Sequence, residues 1–410
     1  MPGEIRLATN ARGYERDAEL QRRFDEAKVK LLAADGYNGE LCADLVLGGG
    51  GIKGIGLVGA VLVLAEAGYR FRCVAGTSAG AIVGSVVAAM AKADRPMVGL
   101  KTHLDTLDYT KFTPGNIFQR ALAKLPFHLL TYADWSQNLL YKDGVYSGDY
   151  LYQWLTPILQ GLGVNSFSDL TLTEEEDPDQ SLGEGRNYRL LVHTSDITRR
   201  RLARLPWDYH FYGVDAAEQR VDDAVRASMS IPLFFKPVTF AAKETTVWIN
   251  GPGGRLVRQT YEGGTVTWVD GGLLRNFPID AFERIDGKPP RFPTIGIKLA
   301  PFPDDVAATE AFRHSWGVGI GTLETAVNEW DTYEVEESTA GRTIFVSGTV
   351  TQHGKAVSIS PIDFGVTKKQ ANELFLNGVH AATDYVIDAA EFGGVPRDSA
   401  ASRRFVSAQA

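Results

Sequence analysis

The chain is expected to fold as an α/β protein, a three-layer α/β/α arrangement around a mainly parallel sheet. Strand-like apolar runs alternate with helical stretches along its length, the order that builds parallel sheets. Two of those strands open into glycine-rich turns that lead directly into helices. A third strand-like run ends in Asp270-Gly271-Gly272.

The first core strand is Leu45-Val46-Leu47, and it opens into Gly48-Gly49-Gly50-Gly51-Ile52-Lys53-Gly54. A helical pattern over 55–67 stops at Gly68, a natural C-terminal cap. The second strand spans 70–75. It turns at Gly76-Thr77-Ser78-Ala79-Gly80 into a run of small residues with helical character. Before both, residues 14–32 carry Leu20, Phe24, Ala27 and Leu31 at helical spacing. Residues 112–141 read as helix, with a lid or membrane-contact surface as the second reading, and 174–187 as an exposed loop. Turn signals Asn250-Gly251-Pro252-Gly253-Gly254 and Gly263-Gly264 predict hairpins within 245–268. Further strands are expected at 294–299 and 343–347, around a helical stretch at 306–333. No internal repeat is present. The expected organisation is a helical extension at 1–40, a core at 41–283, and an α/β segment at 284–410 that completes or flanks the core.

Ser78 has the setting of a nucleophile. A serine on a sharp strand-to-helix turn projects its Oγ beyond the sheet edge, and flanking glycines admit neighbouring backbone. The helix start adds free N–H groups and a positive dipole end. The glycine loop upstream suits an anion-binding nest. Its Gly49-x-Gly51-x-x-Gly54 spacing also matches a dinucleotide fingerprint, but that reading wants an acidic residue about 20 positions onward. Arg70-Phe71-Arg72-Cys73-Val74-Ala75 stands there instead. A phosphate-binding Walker loop fails because Lys53 is followed by Gly54 rather than Ser or Thr. An oxyanion hole built from backbone N–H groups of Gly49, Gly50, Gly51, Ile52, Lys53 and Gly54 fits better. Asp270, at the end of the strand 265–269, is the candidate base, on the expectation that parallel strands present their carboxyl ends on one edge.

These motifs resemble the patatin-like phospholipase family. The match is carried by Gly49 to Gly54, by the elbow Gly76, Thr77, Ser78, Ala79 and Gly80, and by Asp270, Gly271 and Gly272. Residues 226–237 and 273–278 resemble the stretches on either side of the family's aspartate. The resemblance implies a patatin-like variant of the α/β-hydrolase type, with a Ser–Asp dyad and no catalytic histidine; nothing in the sequence demands a cofactor or metal. Its implied activity is phospholipase A-type cleavage of lipid acyl esters.

For that chemistry Ser78 attacks the ester carbonyl and Asp270 takes its proton. A solvated carboxylate is a weak base, so Asp270 is expected in a confined, mostly apolar site that raises its pKa. A Ser–Asp–His triad is the rival, because His314, His353 and His380 all follow Asp270. His380 falls off the apolar stripe of a helix that begins with a Thr367/Gln370 capping pair, and His353 reads as a turn. A second function class is a non-catalytic lipid-binding scaffold, against which the intact Ser78, Asp270 and glycine loop argue. A soluble carboxylesterase or thioesterase shares the same motifs.

Composition narrows the partners. A net charge of −8 over 410 residues argues against a nucleic-acid binder. The basic cluster Arg199-Arg200-Arg201 with Arg204 reads as a solvated turn. Two cysteines, Cys42 and Cys73, suit a reducing compartment and leave zinc without a ligand set. Residues 1–14 lack the apolar core of a signal peptide. Residues 73–91 carry no charge, but Ala, Gly, Ser and Val dominate, as in a buried helix rather than a span. The expected setting is cytoplasmic, with a phospholipid or other lipid ester as substrate and peripheral contact at a membrane. A homo-oligomer or an activator stays open.

Overall fold

The computed structural model describes residues 4–34, 41–112, 146–300 apart from 179, 233, 285, 287 and 289, and 340–394. The expected stretch at 112–141 beyond Phe112, the one at 306–333, and His314 lie outside the described residues.

The chain begins with a short antiparallel pair, β1 (Ile5–Leu7) and β2 (Tyr14–Arg16), before helix α1 (Ala18–Ala33). The N-terminal extension therefore holds a hairpin as well as a helix; strands this short leave no period in a sequence. Asp17 caps α1 by accepting from the Leu20 N–H. The buried face of α1 is Leu20, Phe24, Ala27 and Leu31, the stripe that the spacing predicts.

The central sheet contains β3 (Cys42–Leu47), β4 (Arg70–Thr77), β5 (Leu190–Asp196), β6 (Arg201–Leu205), β7 (Val238–Ala242), β10 (Gly264–Asp270), β11 (Thr294–Ala300) and β12 (Thr343–Ser347). Between β7 and β10 stand β8 (Thr245–Asn250) and β9 (Leu256–Tyr261), a separate antiparallel hairpin. A second small hairpin, β13 (Thr349–Gln352) with β14 (Lys355–Ser358), follows β12. The order β12-β11-β3-β4-β5-β10-β7 is parallel from β12 to β5. Strands from both the core and the C-terminal segment thus share one sheet.

Helices α2 (Ile55–Ala67) and α3 (Ala79–Lys92) make the crossovers β3-α2-β4 and β4-α3-β5. Both crossovers advance the same way across the sheet, so right-handed connections place both helices on one face. On β11, Leu299 meets that face beside Gly50 and Gly56, while Gly296 faces Phe277 and Ile279 on the other. Helices α4 (Gly99–Leu104) and α5 (Tyr150–Gly161) pack against α3, and α6 (Val221–Ser228) leans on β5 and β10. The uncharged run 73–91 divides between the end of β4 and α3, both buried. Among the described residues no helix is long and apolar enough to cross a membrane.

The C-terminal helix α7 (Lys368–Glu391) starts at the expected Thr367/Gln370 capping box and lies along α2. Glycines set their approach: a Cβ on Gly59 would stand 2.2 Å from the Phe375 carbonyl oxygen, and one on Gly378 would stand 1.8 Å from that of Gly56. No side chain fits at either contact.

One topological expectation is corrected. Asp270 does not end a parallel strand: β10 runs antiparallel to β5, pairing Trp268 with Asp196 and Asp270 with Thr194. A strand has two edges, and β6 pairs with β5 along 192–196 on one of them. Strand β4, which pairs with 190–193, and β10, which pairs with 194–196, therefore share the other. They meet carboxyl end to carboxyl end, with Thr77 opposite His193 and Asp270 opposite Thr194.

On an open helix surface, replacing glycine by alanine stabilises by about 1 kcal/mol. Gly378→Ala is expected to do the reverse, costing roughly 2 kcal/mol or more through the clash with α2. Denaturant unfolding of the two proteins measures the sign.

Candidate active site

Ser78 sits between β4 and α3 with φ 52° and ψ −121°. A non-glycine residue held there stores about 1–3 kcal/mol of strain. The glycines around it make the turn sterically feasible. A Cβ at Gly76 would lie 2.3 Å from the Gly80 carbonyl oxygen, and one at Gly80 would lie 2.1 Å from that of Leu47.

The meeting of β4 and β10 brings the two candidate residues together. Ser78 Oγ donates to Asp270 Oδ2 at 2.6 Å, and the two side chains lie buried, with residue exposures of 5% and 7%. The other carboxylate oxygen, Oδ1, accepts from the Gly272 N–H at 2.7 Å. Burial pushes the Asp270 pKa up to about 7, against these two hydrogen bonds, which pull it down. Gly271 permits this approach, since a Cβ there would stand 2.1 Å from the His193 carbonyl oxygen.

A second segment, residues 226–230, holds both backbones. Ser228, at the end of α6, accepts from the Ser78 N–H at 2.9 Å and donates to the His193 carbonyl at 2.6 Å. Two residues on, the Ser230 carbonyl accepts from the Asp270 N–H at 2.9 Å. Buried Arg226 donates to the Ser230 hydroxyl and to the Ser147 and Lys236 carbonyls, which fixes the turn. The run Arg226-Ala227-Ser228-Met229-Ser230 stands out in the sequence, but which atoms its hydroxyls would meet is not legible there.

The glycine loop borders the dyad. A Cβ on Gly49 would fall 3.2 Å from the Ser78 Cβ and 2.2 Å from Asn276 Oδ1. Of the six candidate amides, Gly49 donates to the Asn276 carbonyl, Ile52 to that of Pro361, and Lys53 to that of Gly50, while Gly54 lies inside the 3-10 turn Gly51–Gly54. Among the described residues the Gly50 and Gly51 amides have no protein acceptor. Gly51 has φ +55°, and a Cβ on it would stand 1.8 Å from the Pro361 carbonyl oxygen. Gly54 packs on Ala79, joining loop to elbow. The loop after Asp270 ties in as well, because Thr77 Oγ1 donates to the Arg275 carbonyl.

The histidines stand apart. His353 is exposed in the β13–β14 turn and His380 is exposed on α7. His193 is buried beside Thr77 in the sheet, and burial lowers its pKa to about 3, so the ring is neutral. Among the described residues no histidine hydrogen-bonds Ser78 or Asp270, and no cluster of His, Cys, Asp and Glu has the makings of a metal site.

The basic cluster departs from a solvated turn. Arg199 donates to the Phe211 and Glu262 carbonyls, and Arg204 is paired with buried Asp208, leaving Arg200 exposed.

The family-model comparison agrees with the resemblance. A family model described as patatin-like phospholipase matches residues 45–283. An uncharacterized protein, YqhO of Bacillus subtilis (strain 168), is 33% identical over 258 residues, covering 63% of this chain and 71% of that one. Among solved structures, VipD from Legionella pneumophila is 16% identical with a TM-score of 0.41, covering 94% of this chain and 70% of its own. The type III effector protein ExoU is 15% identical with a TM-score of 0.33, covering 84% of this chain and 52% of its own.

Two stability measurements probe this geometry. Ser228→Ala strands the buried Ser78 N–H and His193 carbonyl, and is expected to cost about 1–3 kcal/mol in urea unfolding. The raised Asp270 pKa favours the folded state below the ordinary carboxylate pKa, and that stability is lost as pH rises through about 7. Asp270→Asn therefore gains relative to wild type on going from pH 4 to pH 8, by on the order of 3 kcal/mol.

Proposed function

This chain belongs to the patatin-like phospholipase family, and from that premise we propose that it is a phospholipase A-type acyl hydrolase working through Ser78 and Asp270. The observation that carries the reading is the 2.6 Å hydrogen bond from Ser78 Oγ to a buried carboxylate whose pKa lies near 7. A base is most effective when its pKa approaches the working pH. At ordinary carboxylate acidity the serine proton would find a poor acceptor.

Ser78 Oγ attacks the ester carbonyl while its proton passes to Asp270 Oδ2. The carbonyl oxygen gains charge and takes hydrogen bonds from the Gly50 and Gly51 amides, aided by the positive end of α3. Collapse breaks the ester C–O bond, and Asp270 returns the proton to the leaving lysophospholipid oxygen. Asp270 next removes a proton from water, which attacks the acyl-enzyme, and that proton returns to Ser78 as the fatty acid leaves. Ser228 and Ser230 position the dyad by holding its two backbones. The segment 284–410 takes part too, because the Pro361 carbonyl engages the Ile52 amide and backs Gly51.

Hydrolysis of mixed phospholipid vesicles to fatty acid and lysophospholipid tests the assignment. Ser78→Ala is expected to abolish turnover, and Asp270→Asn to lower kcat by about 10²–10⁴-fold. Alanine at His314, His353 or His380 is expected to leave it near wild type; loss of activity in one of them would install a triad instead. Turnover of soluble esters with untouched phospholipid would favour a carboxylesterase or thioesterase. Because Asp270 acts deprotonated, kcat/KM is expected to rise with pH and level off above about 7.

A further inference from the structure

The hairpin β8–β9 leaves the sheet from its active-site edge. It joins the outer ends of β7 and β10, where Ala242 pairs with Gly264, beyond the point at which Trp268 pairs with Asp196. From Gly264 to Asp270 the strand covers roughly 20 Å at the usual rise per residue. Cross-strand pairs Trp248–Arg258 and Asn250–Leu256 put Trp248, Leu256 and Arg258 on one face of the hairpin.

That face is unusual. Trp248 and Leu256 are each 64% exposed, two of the three most exposed large apolar side chains among the described residues. Single exposed apolar residues are ordinary on a protein surface; two such residues on one projecting face are less so. Charge separates this patch further. Between Thr245 and Tyr261 the only charged side chains are Arg255 and Arg258, in a chain of net charge −8. Alongside, Ile197 is 47% exposed and its N–H donates to the Thr267 carbonyl, so the β5–β6 turn with exposed Arg200 adjoins β10.

We propose that this hairpin face is a membrane-docking surface for anionic phospholipid bilayers. The proposal takes its occupant from the lipid-hydrolase reading above. An indole prefers the boundary between headgroups and acyl chains, where its ring is apolar and its N–H stays wet. Leu256 inserts beside it, while Arg255 and Arg258 meet headgroup phosphate and the negative surface potential. Projection from the edge that carries Ser78 brings the dyad toward the lipid.

The test is co-sedimentation of the full chain with phosphatidylcholine vesicles containing phosphatidylglycerol, alongside turnover of a water-soluble short-chain ester. Wild type is expected to bind, with affinity falling as salt rises. W248A/L256A and R255Q/R258Q are each expected to bind about tenfold more weakly or worse, with soluble-ester turnover unchanged. Contact quenching by brominated lipid is expected in wild type and reduced in Trp248→Phe. Binding unaltered by both double variants would overturn the proposal. So would a wild-type dimer that W248A/L256A splits, since the face would then belong to a second copy. Soluble-ester turnover without vesicle binding sinks the docking surface and spares the hydrolase. Hairpin-dependent binding by a protein that cleaves no ester supports docking and sinks the hydrolase.

Discussion

Two strands ending against each other along one edge of β5 govern the candidate site. Thr77 and Asp270 occupy neighbouring register positions, opposite His193 and Thr194. Ladder hydrogen bonds fix those positions as firmly as any distance in a sheet. The 2.6 Å contact between Ser78 and Asp270 is thus a product of strand pairing, not of a flexible loop. Shifting β10 by one residue would turn the carboxylate to the other face of the sheet.

Holding that contact has an energetic cost. Ser78 keeps a backbone conformation that side chains rarely adopt, and Asp270 keeps a carboxylate out of water. The Arg226–Ser230 segment offsets part of it by satisfying the amides of both residues. Glycines at 49, 76, 80 and 271 remove the atoms that would collide. Strain and burial concentrated around one pair of side chains are what a preorganised reactive site requires. The aspartate's raised pKa follows from the same dry surroundings.

Much of this was legible in the sequence. Glycine patterns announce the tight turns because only glycine tolerates such approaches, and the elbow, the loop and Asp270-Gly271-Gly272 stand out in the sequence as motifs at strand ends. The helical stripe of α1 and the capping box of α7 follow from local periodicity and local hydrogen bonding. What was missed depends on partners distant in the chain. The antiparallel direction of β10 is set by a long excursion through β7, β8 and β9, and Asp270-Gly271-Gly272 looks the same at the end of either kind of strand. Ser228 lies 150 residues from the amide it meets. Arg199 reads as solvated in the sequence because its carbonyl acceptors at Phe211 and Glu262 carry no signal in composition.

The most direct measurement is a crystal structure of the full chain after reaction with an alkyl fluorophosphonate, whose phosphoryl group imitates the tetrahedral intermediate. The account predicts phosphorus bonded to Ser78 Oγ, its oxygen on the Gly50 and Gly51 amides, and Asp270 within reach of Oγ. Phosphorus on another residue, or Ser78 and Asp270 separated by more than one water, would contradict it.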